Sequence, residues 1–306
     1  MNYLLVIEVN HMTYKNIVKV DQAELNVYIE GEKAPVLVFM AGLEITAPVL
    51  EYRPLYSKLK ETHKIAVIER SGYGFSGTMK RKRTLENLVL EDRYALKEAG
   101  LEPPYVLVPH DYAGFEAIYW ANKYPDEVMA VLGNDMTFPD HTLTFSKEVP
   151  DSKMQSLVNK RREYLTKVAG NGIFAKLQAK KTIDASGMMS GNLLDDEEKC
   201  AYKILYYDNI LNEEIYEESM LMRENATKAH DTGVLKCPCC FFISDMKTDA
   251  KTKTWQEAGV EYAKRCGAEY HLTNAGHYPY TIIPDRMCDI FNDFLRKTFY
   301  NIWKEK

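Results

Sequence analysis

Three side chains in this 306-residue sequence sit where chemistry could be done: Asp111, His277 and an acid able to orient that histidine. Asp111 lies in "VPHDYAG" (108–114). An apolar run with the character of a buried strand, "YVLV", leads into it, and "FEAIYWANKYPDEV", with the apolar spacing of a helix, leaves it. A carboxylate at a sharp strand–turn–helix junction is presented at a strand end and is already an anion at neutral pH. It needs no base before it attacks an electrophile. His277, in "NAGHYPY" (274–280), follows a glycine and precedes an apolar C-terminal helix, a setting suited to a general base. Two positions could supply the orienting acid. Asp135 ends the run "VMAVLGND", 24 residues beyond Asp111, and Asp249 ends "DMKTD", with Asp245 as a less favoured neighbour. Asp135 is preferred, because such a constellation is recognised by geometry and different strand ends can provide the same group.

The elements that must hold these residues alternate along the chain. "NIVKV" and "LNVYIEG" read as an opening hairpin, and "PVLVFMAG", "KIAVIE", "YVLVP" and "VMAVLGND" as buried strands separated by helices. This rhythm predicts βαβ units and an α/β fold with a doubly wound, mainly parallel sheet. It stops after Pro139. Residues 140–235 contain no convincing strand, and "KMQSLVNKRREYLTKVA" and "DDEEKCAYKILYYDNIL" are helical in pattern. An insert of about 95 residues is too long for a structureless loop. It is read as a helical cap inserted after the sixth strand, with residues 1–139 and 236–306 forming the core. Strand and helix resume at "CPCCFFIS" and run to the end.

Four motifs, each after the expected strand, resemble the α/β-hydrolase superfamily: "MAGLEITAP", "ERSGYGFSG", "PHDYAG" and "NAGHYPY". The wording of "PVLEYRPLYSKL" and "EAIYWANKYPDEV" is similar to a Firmicutes group of serine-type members, whose turn has the form G-x-S-x-G. This chain departs from that group by carrying Asp111, as epoxide hydrolases and haloalkane dehalogenases do. The resemblance implies an Asp111/His277/Asp135 triad and an oxyanion hole from the backbone N–H groups of Leu43 and Tyr112. It implies a packing or polar-contact role for His110, while Gly72 and Gly74 read by their own conformational freedom as residues of a tight turn.

Carboxylate attack on an ester would give an unstable anhydride, whereas attack on a strained or halogenated sp³ carbon gives a stable alkyl ester that His277 could then hydrolyse. The expected activity is therefore hydrolysis of a small apolar epoxide or alkyl halide. Such proteins often use a tryptophan after the nucleophile or tyrosines of the cap to help the leaving group. Here Tyr112 follows Asp111, and Tyr202 and Tyr206 share a helix face at i,i+4 among the cap tyrosines 164, 202, 206, 207 and 216. Glu44, Tyr202 and Tyr206 are the candidate substrate-pocket residues, and Tyr112 departs from the usual tryptophan. The alternative is an impaired relative of a serine esterase or peptidase that binds a small molecule without turning it over.

Bulk properties narrow the field. The net charge of −5 provides no footprint for nucleic acid, and the one basic run, "MKRKR" (79–83), reads as a solvated loop. No stretch has the ~18 apolar residues of a membrane span, and the start lacks the pattern of a signal peptide. Six cysteines without a second Cys/His pair point to reduced thiols and no metal, in a cytoplasmic setting. No cofactor is expected, and the expected partner is a small-molecule substrate.

Overall fold

A computed structural model describes residues 13–170, 180–246 and 255–304. Eight strands form one sheet in the order β1-β2-β4-β3-β5-β6-β7-β8. They are β1 (Ile17–Val20), β2 (Ala23–Glu30), β3 (Val36–Met40), β4 (Lys64–Glu69), β5 (Tyr105–Asp111), β6 (Val128–Met136), β7 (Cys239–Ser244) and β8 (Glu269–Thr273). β2 pairs antiparallel with β1 and β4, and every other pairing is parallel. The central strands bury both faces, which explains their unbroken apolar wording. Along β3, Leu37 and Phe39 face one core and Val38 and Met40 the other.

The chain runs from β3 outward to β4 and then returns to place β5 on the other side of β3. This reversal opens a crevice at the carboxyl ends of β3 and β5, the position where open α/β sheets bind ligands. The turn bearing Leu43 and the turn bearing Asp111 flank it. Helices α1 (Pro48–Glu51), α2 (Arg53–Leu59), α3 (Leu85–Glu98) and α4 (Ala113–Lys123) connect the first strands.

Between β6 and β7 the described residues form helices α5 (Pro139–Glu148), α6 (Asp151–Ala169), α7 (Asp196–Asn209), α8 (Glu213–Met220) and α9 (Met222–Asp231). The core closes with α10 (Trp255–Cys266), α11 (Pro279–Ile282) and α12 (Pro284–Lys304). The sequence start of α7 is legible in its Asp195–Glu198 capping box.

A buried ionic network ties this insert to the core. Glu218 of α8 accepts from Arg70 Nη2 at 3.1 Å, Arg83 Nε at 3.0 Å and Tyr73 Oη at 2.6 Å. Arg70 also bonds Glu116, and Arg83 bonds Glu91 at 2.7 Å. All six side chains are at most 1% exposed. Asn225 of α9 adds bonds to the Arg83 carbonyl (2.9 Å) and the Leu85 N–H (2.8 Å). The "MKRKR" run is thus only partly a solvated loop: its last residue, Arg83, is fully buried because two carboxylates hold it there.

Removing one member of such a network strands charge without a partner, at a cost of about 3–5 kcal/mol. Glu218→Ala should therefore lose that much in urea unfolding, while Glu213→Ala, which breaks the exposed Arg162–Glu213 pair, should lose less than about 1 kcal/mol. Equal, small losses would show that the network does not hold the insert.

Candidate active site

Asp111 closes β5 with a φ of 45°, in the left-handed region that a non-glycine residue enters only under local compulsion. The compulsion is visible on both sides of the turn. A Cβ at Gly114 would lie 2.3 Å from the Thr137 carbonyl, so α4 can cross the end of β6 this closely only with glycine there. A Cβ at Gly42 would meet Asp111 Cβ at 2.8 Å, so the β3 turn also depends on glycine to approach the carboxylate. The Asp111 carbonyl accepts from Thr137 N–H at 2.8 Å, pinning the turn to β6.

The two carboxylate oxygens of Asp111 have different partners. Oδ2 accepts from the backbone N–H of Leu43 at 3.1 Å. Oδ1 accepts from Thr137 Oγ1 at 2.9 Å and lies 3.6 Å from His277 Nε2. Burial opposes the charge, but His277, His110 and the Tyr112 backbone N–H together hold the Asp111 pKa well below the usual carboxylate range. The N-terminus of α4 favours the same anion.

On its far side, His277 Nδ1 meets Asp135 Oδ2 at 2.7 Å. Asp135 also has a positive φ, 49°, and its side chain is fully buried. Its oxygens take three further hydrogen bonds, from Ser244 N–H (2.7 Å), Ser244 Oγ (2.8 Å) and Trp255 Nε1 (2.8 Å). Burial alone would lower the His277 pKa, but the two carboxylates overcome it and raise the value to about 10. The imidazole is therefore a cation at neutral pH while Asp111 is ionised.

His110 has the opposite character. Burial first, and then the neighbouring His277, lower its pKa to about 4, so it is neutral. Its Nε2 lies 2.9 Å from the His277 carbonyl, which can only accept, so the proton is on Nε2. Nδ1 faces Tyr52 Oη at 3.4 Å, and Tyr52 Oη accepts from Gly42 N–H at 3.2 Å. His110 thus fastens the backbone of His277 and, through Tyr52, the β3 turn, which matches the polar-contact role expected of it.

The other expected residues separate clearly. Asp249 lies outside the described residues, and Asp245 is exposed. The Tyr112 side chain turns away from the carboxylate: its hydroxyl meets Asn225 Nδ2 at 2.5 Å, so it is not placed to assist a leaving group. Glu44, at φ 62°, is held bidentately by Arg161 of α6, at 3.0 and 2.5 Å. Glu44, Tyr202 and Tyr206 line one cavity of about 90 Å³ together with Leu43, Glu51, Ser186 and Tyr278. Of the remaining insert tyrosines, Tyr164 bonds Thr182, Tyr216 bonds Asn159 and Tyr207 is exposed. Three tyrosines and two carboxylates in the wall do not match a wholly apolar ligand.

Sequence reasoning missed Thr137, Ser244, Trp255, Tyr52, Glu51 and Tyr278. Thr137, two residues past Asp135, and Tyr278, directly after His277, were within reach of a closer look at their neighbours. The others meet the site only through long-range packing. A Cys240, Glu269 and His271 group has potential ligand atoms within 4.8 Å of one another, but it lies on β7 and β8, away from the Asp111 turn. Among the described residues no helix is long and apolar enough to cross a membrane.

Comparison with known proteins bears on the fold. No family model matches the chain. The chain is 29% identical over 293 residues to the uncharacterised protein YbdG of Bacillus subtilis, covering 92% of this chain and 85% of that one. Among solved structures, it is similar to a provisionally named epoxide hydrolase of Pseudomonas aeruginosa, with a TM-score of 0.64 at 15% identity over 92% of this chain and 95% of that one. It is also similar to the enol-lactonase of Burkholderia xenovorans, with a TM-score of 0.55 at 18% identity over 92% and 99%. Sheet order, helical insert and these likenesses together show that the chain has the α/β-hydrolase fold.

Proposed function

We propose that the chain is a hydrolase in which Asp111 attacks a saturated carbon of a small epoxide or alkyl halide, and that His277 and Asp135 hydrolyse the resulting ester beneath a cap formed by residues 140–235. The observation that carries this reading is the division of labour between the two oxygens of Asp111. In acyl transfer by serine, the oxyanion-hole N–H groups must stay open for the carbonyl oxygen of the substrate. Here the Leu43 N–H already holds Oδ2, the atom that would become the carbonyl oxygen of an aspartyl ester, while Oδ1 faces His277.

In the first step, Oδ1 bonds to the carbon as the bond to the leaving group breaks. A halide departs with the electron pair, or an epoxide oxygen departs as an alkoxide that takes up a proton. The Tyr202 hydroxyl is committed to Glu51, which leaves Tyr206 and Tyr278 as the phenolic hydroxyls of the cavity able to assist. In the second step, His277 must act as a base, and with a pKa of about 10 it cannot do so in the resting protein. Esterification removes that obstacle. A neutral ester no longer stabilises the imidazolium, so its proton is released, and the neutral ring, held by Asp135, can deprotonate a water. That water adds to the ester carbon, the N–H groups of Leu43 and Tyr112 hold the oxyanion, and the alcohol leaves.

Two experiments test these steps. His277→Ala, incubated with a panel of small epoxides and 1-haloalkanes, should accumulate an alkyl adduct on the Asp111 peptide by mass spectrometry, because the second step lacks its base. Hydrolysis of esters but not alkyl substrates by the native protein would contradict the assignment. No native turnover, with esterase activity appearing only in Asp111→Ser, would instead mark a serine enzyme that lost its nucleophile and retained its pocket.

The charge coupling can be read without any substrate. In Asp111→Asn, the His277 ring should titrate about one to three units below the native value, since an opposite charge at this distance is worth that much. The sign for stability follows. A raised histidine pKa contributes stability that is complete below its unfolded value near 6.5 and is lost as pH rises through about 10. The depressed Asp111 pKa adds stability above the ordinary Asp range that is lost as pH falls. The native protein should therefore exceed Asp111→Asn in stability most between about pH 4 and 6.5. An unchanged His277 titration would contradict the coupling.

A further inference from the structure

Glu51, at the end of α1, is 1% exposed and forms part of the wall of the cavity next to Leu43. Tyr280 Oη donates to its Oε1 at 3.0 Å, and Tyr202 Oη donates to its Oε2. Among the described residues no Lys, Arg or His side chain forms an ion pair with it. The second carboxylate of the cavity, Glu44, differs on this point, because Arg161 matches it bidentately. A buried carboxyl without a counter-charge is costly as an anion, and burial raises the Glu51 pKa accordingly.

The rest of the wall is suited to what Glu51 lacks. Tyr202, Tyr206 and Tyr278 present aromatic rings, whose faces attract cations. Tyr206 Oη is buried without a hydrogen-bond partner among the described residues, and the Ser186 hydroxyl lies against Glu51 and Tyr202; both residues are at most 5% exposed. Buried hydroxyls are normally satisfied, so the unsatisfied Tyr206 hydroxyl in so small a cavity marks where a polar atom of a ligand belongs. Arg161, the cation of this wall, is already matched by Glu44, so an anionic ligand would face the unmatched Glu51.

We infer that this cavity binds the ammonium end of a small protonated amine, with Glu51 supplying the counter-charge and the Tyr206 and Ser186 hydroxyls accepting from its N–H groups. The inference rests on the proposal that the cavity is the substrate pocket beside Asp111, and it replaces the expectation of an apolar substrate with that of an amine-bearing one. At about 90 Å³ the cavity suits a few heavy atoms, so the amine belongs to a short substrate or to one end of a longer substrate.

Ethylammonium chloride is a suitable probe, titrated into the native protein by calorimetry at constant ionic strength beside ethanol and sodium acetate. Saturable binding of ethylammonium is expected, with no binding of acetate and weaker binding of ethanol. Glu51→Gln keeps the shape and an acceptor for one tyrosine, and should weaken ethylammonium about tenfold or more, the worth of a charge-assisted hydrogen bond. Tyr206→Phe should weaken it to a lesser degree and serves as the test if Glu51→Gln does not fold. Ethanol binding as tightly as ethylammonium, or unchanged affinity in Glu51→Gln or in its substitute Tyr206→Phe, would overturn the inference and leave Glu51 as a tie between Tyr202 and Tyr280. Because binding is read without turnover, the two proposals fail separately. Ammonium binding by a protein inactive on every alkyl substrate sinks only the hydrolase, and an active hydrolase that prefers neutral substrates sinks only the ammonium site.

Discussion

The site is organised around one cation held between two anions. His277 has Asp135 against Nδ1 and Asp111 against Nε2, and neither carboxylate is placed by chance. Both lie at the carboxyl ends of adjacent parallel strands, and both have a left-handed backbone that turns the side chain out of the strand direction. Asp135 is locked by Ser244 and Trp255, so it can orient the ring but has no freedom to leave it. Asp111 is held less completely, with a side chain 23% exposed. The asymmetry suits a fixed orienting acid and a carboxylate that must reach a ligand. In the proposed mechanism the charge state of Asp111 is the switch for His277.

Everything else in the fold brings these groups together or shields them. The reversal of strand order between β3 and β5 creates the crevice, and Gly42 and Gly114 let the two turns close on the carboxylate. The His110–Tyr52 relay joins the β3 turn, the β5 turn and the loop carrying His277 through three polar contacts. The Arg70, Arg83 and Glu218 network fastens α8, and Asn225 fastens α9, behind the Asp111 turn. The helical insert is thereby fixed to the core on that side, and α6 and α7 reach over the cavity with Arg161, Tyr202 and Tyr206.

Much of this was legible in the sequence, for physical reasons. Parallel strands buried on both faces leave continuous apolar runs, and the end of each run located Asp111, Asp135 and the Leu43 turn. His277 was legible because a glycine and a following apolar helix frame it. The missed features depend on contacts between distant segments. Arg83 looked like part of a solvated basic run because Glu218, 135 residues later, neutralises it. Tyr112 stands where haloalkane dehalogenases carry a tryptophan, and its hydroxyl meets Asn225, 113 residues later, a contact that nothing local signals. Glu51 carried no local signal, since its burial depends on Tyr202 and Tyr280 arriving from two other elements.

The central claim is that Asp111 itself forms and breaks a bond to the substrate. An ester at Asp111 is hydrolysed by water adding to the carboxyl carbon, so the oxygen of that water remains in the side chain. A single turnover in ¹⁸O-labelled water, with the protein in excess over an epoxide or haloalkane that it turns over, reads this directly. The account predicts label in the peptide carrying Asp111 and none in the product of that turnover. Label in the product, with an unlabelled Asp111 peptide, would mean that water attacks the substrate directly and would contradict it.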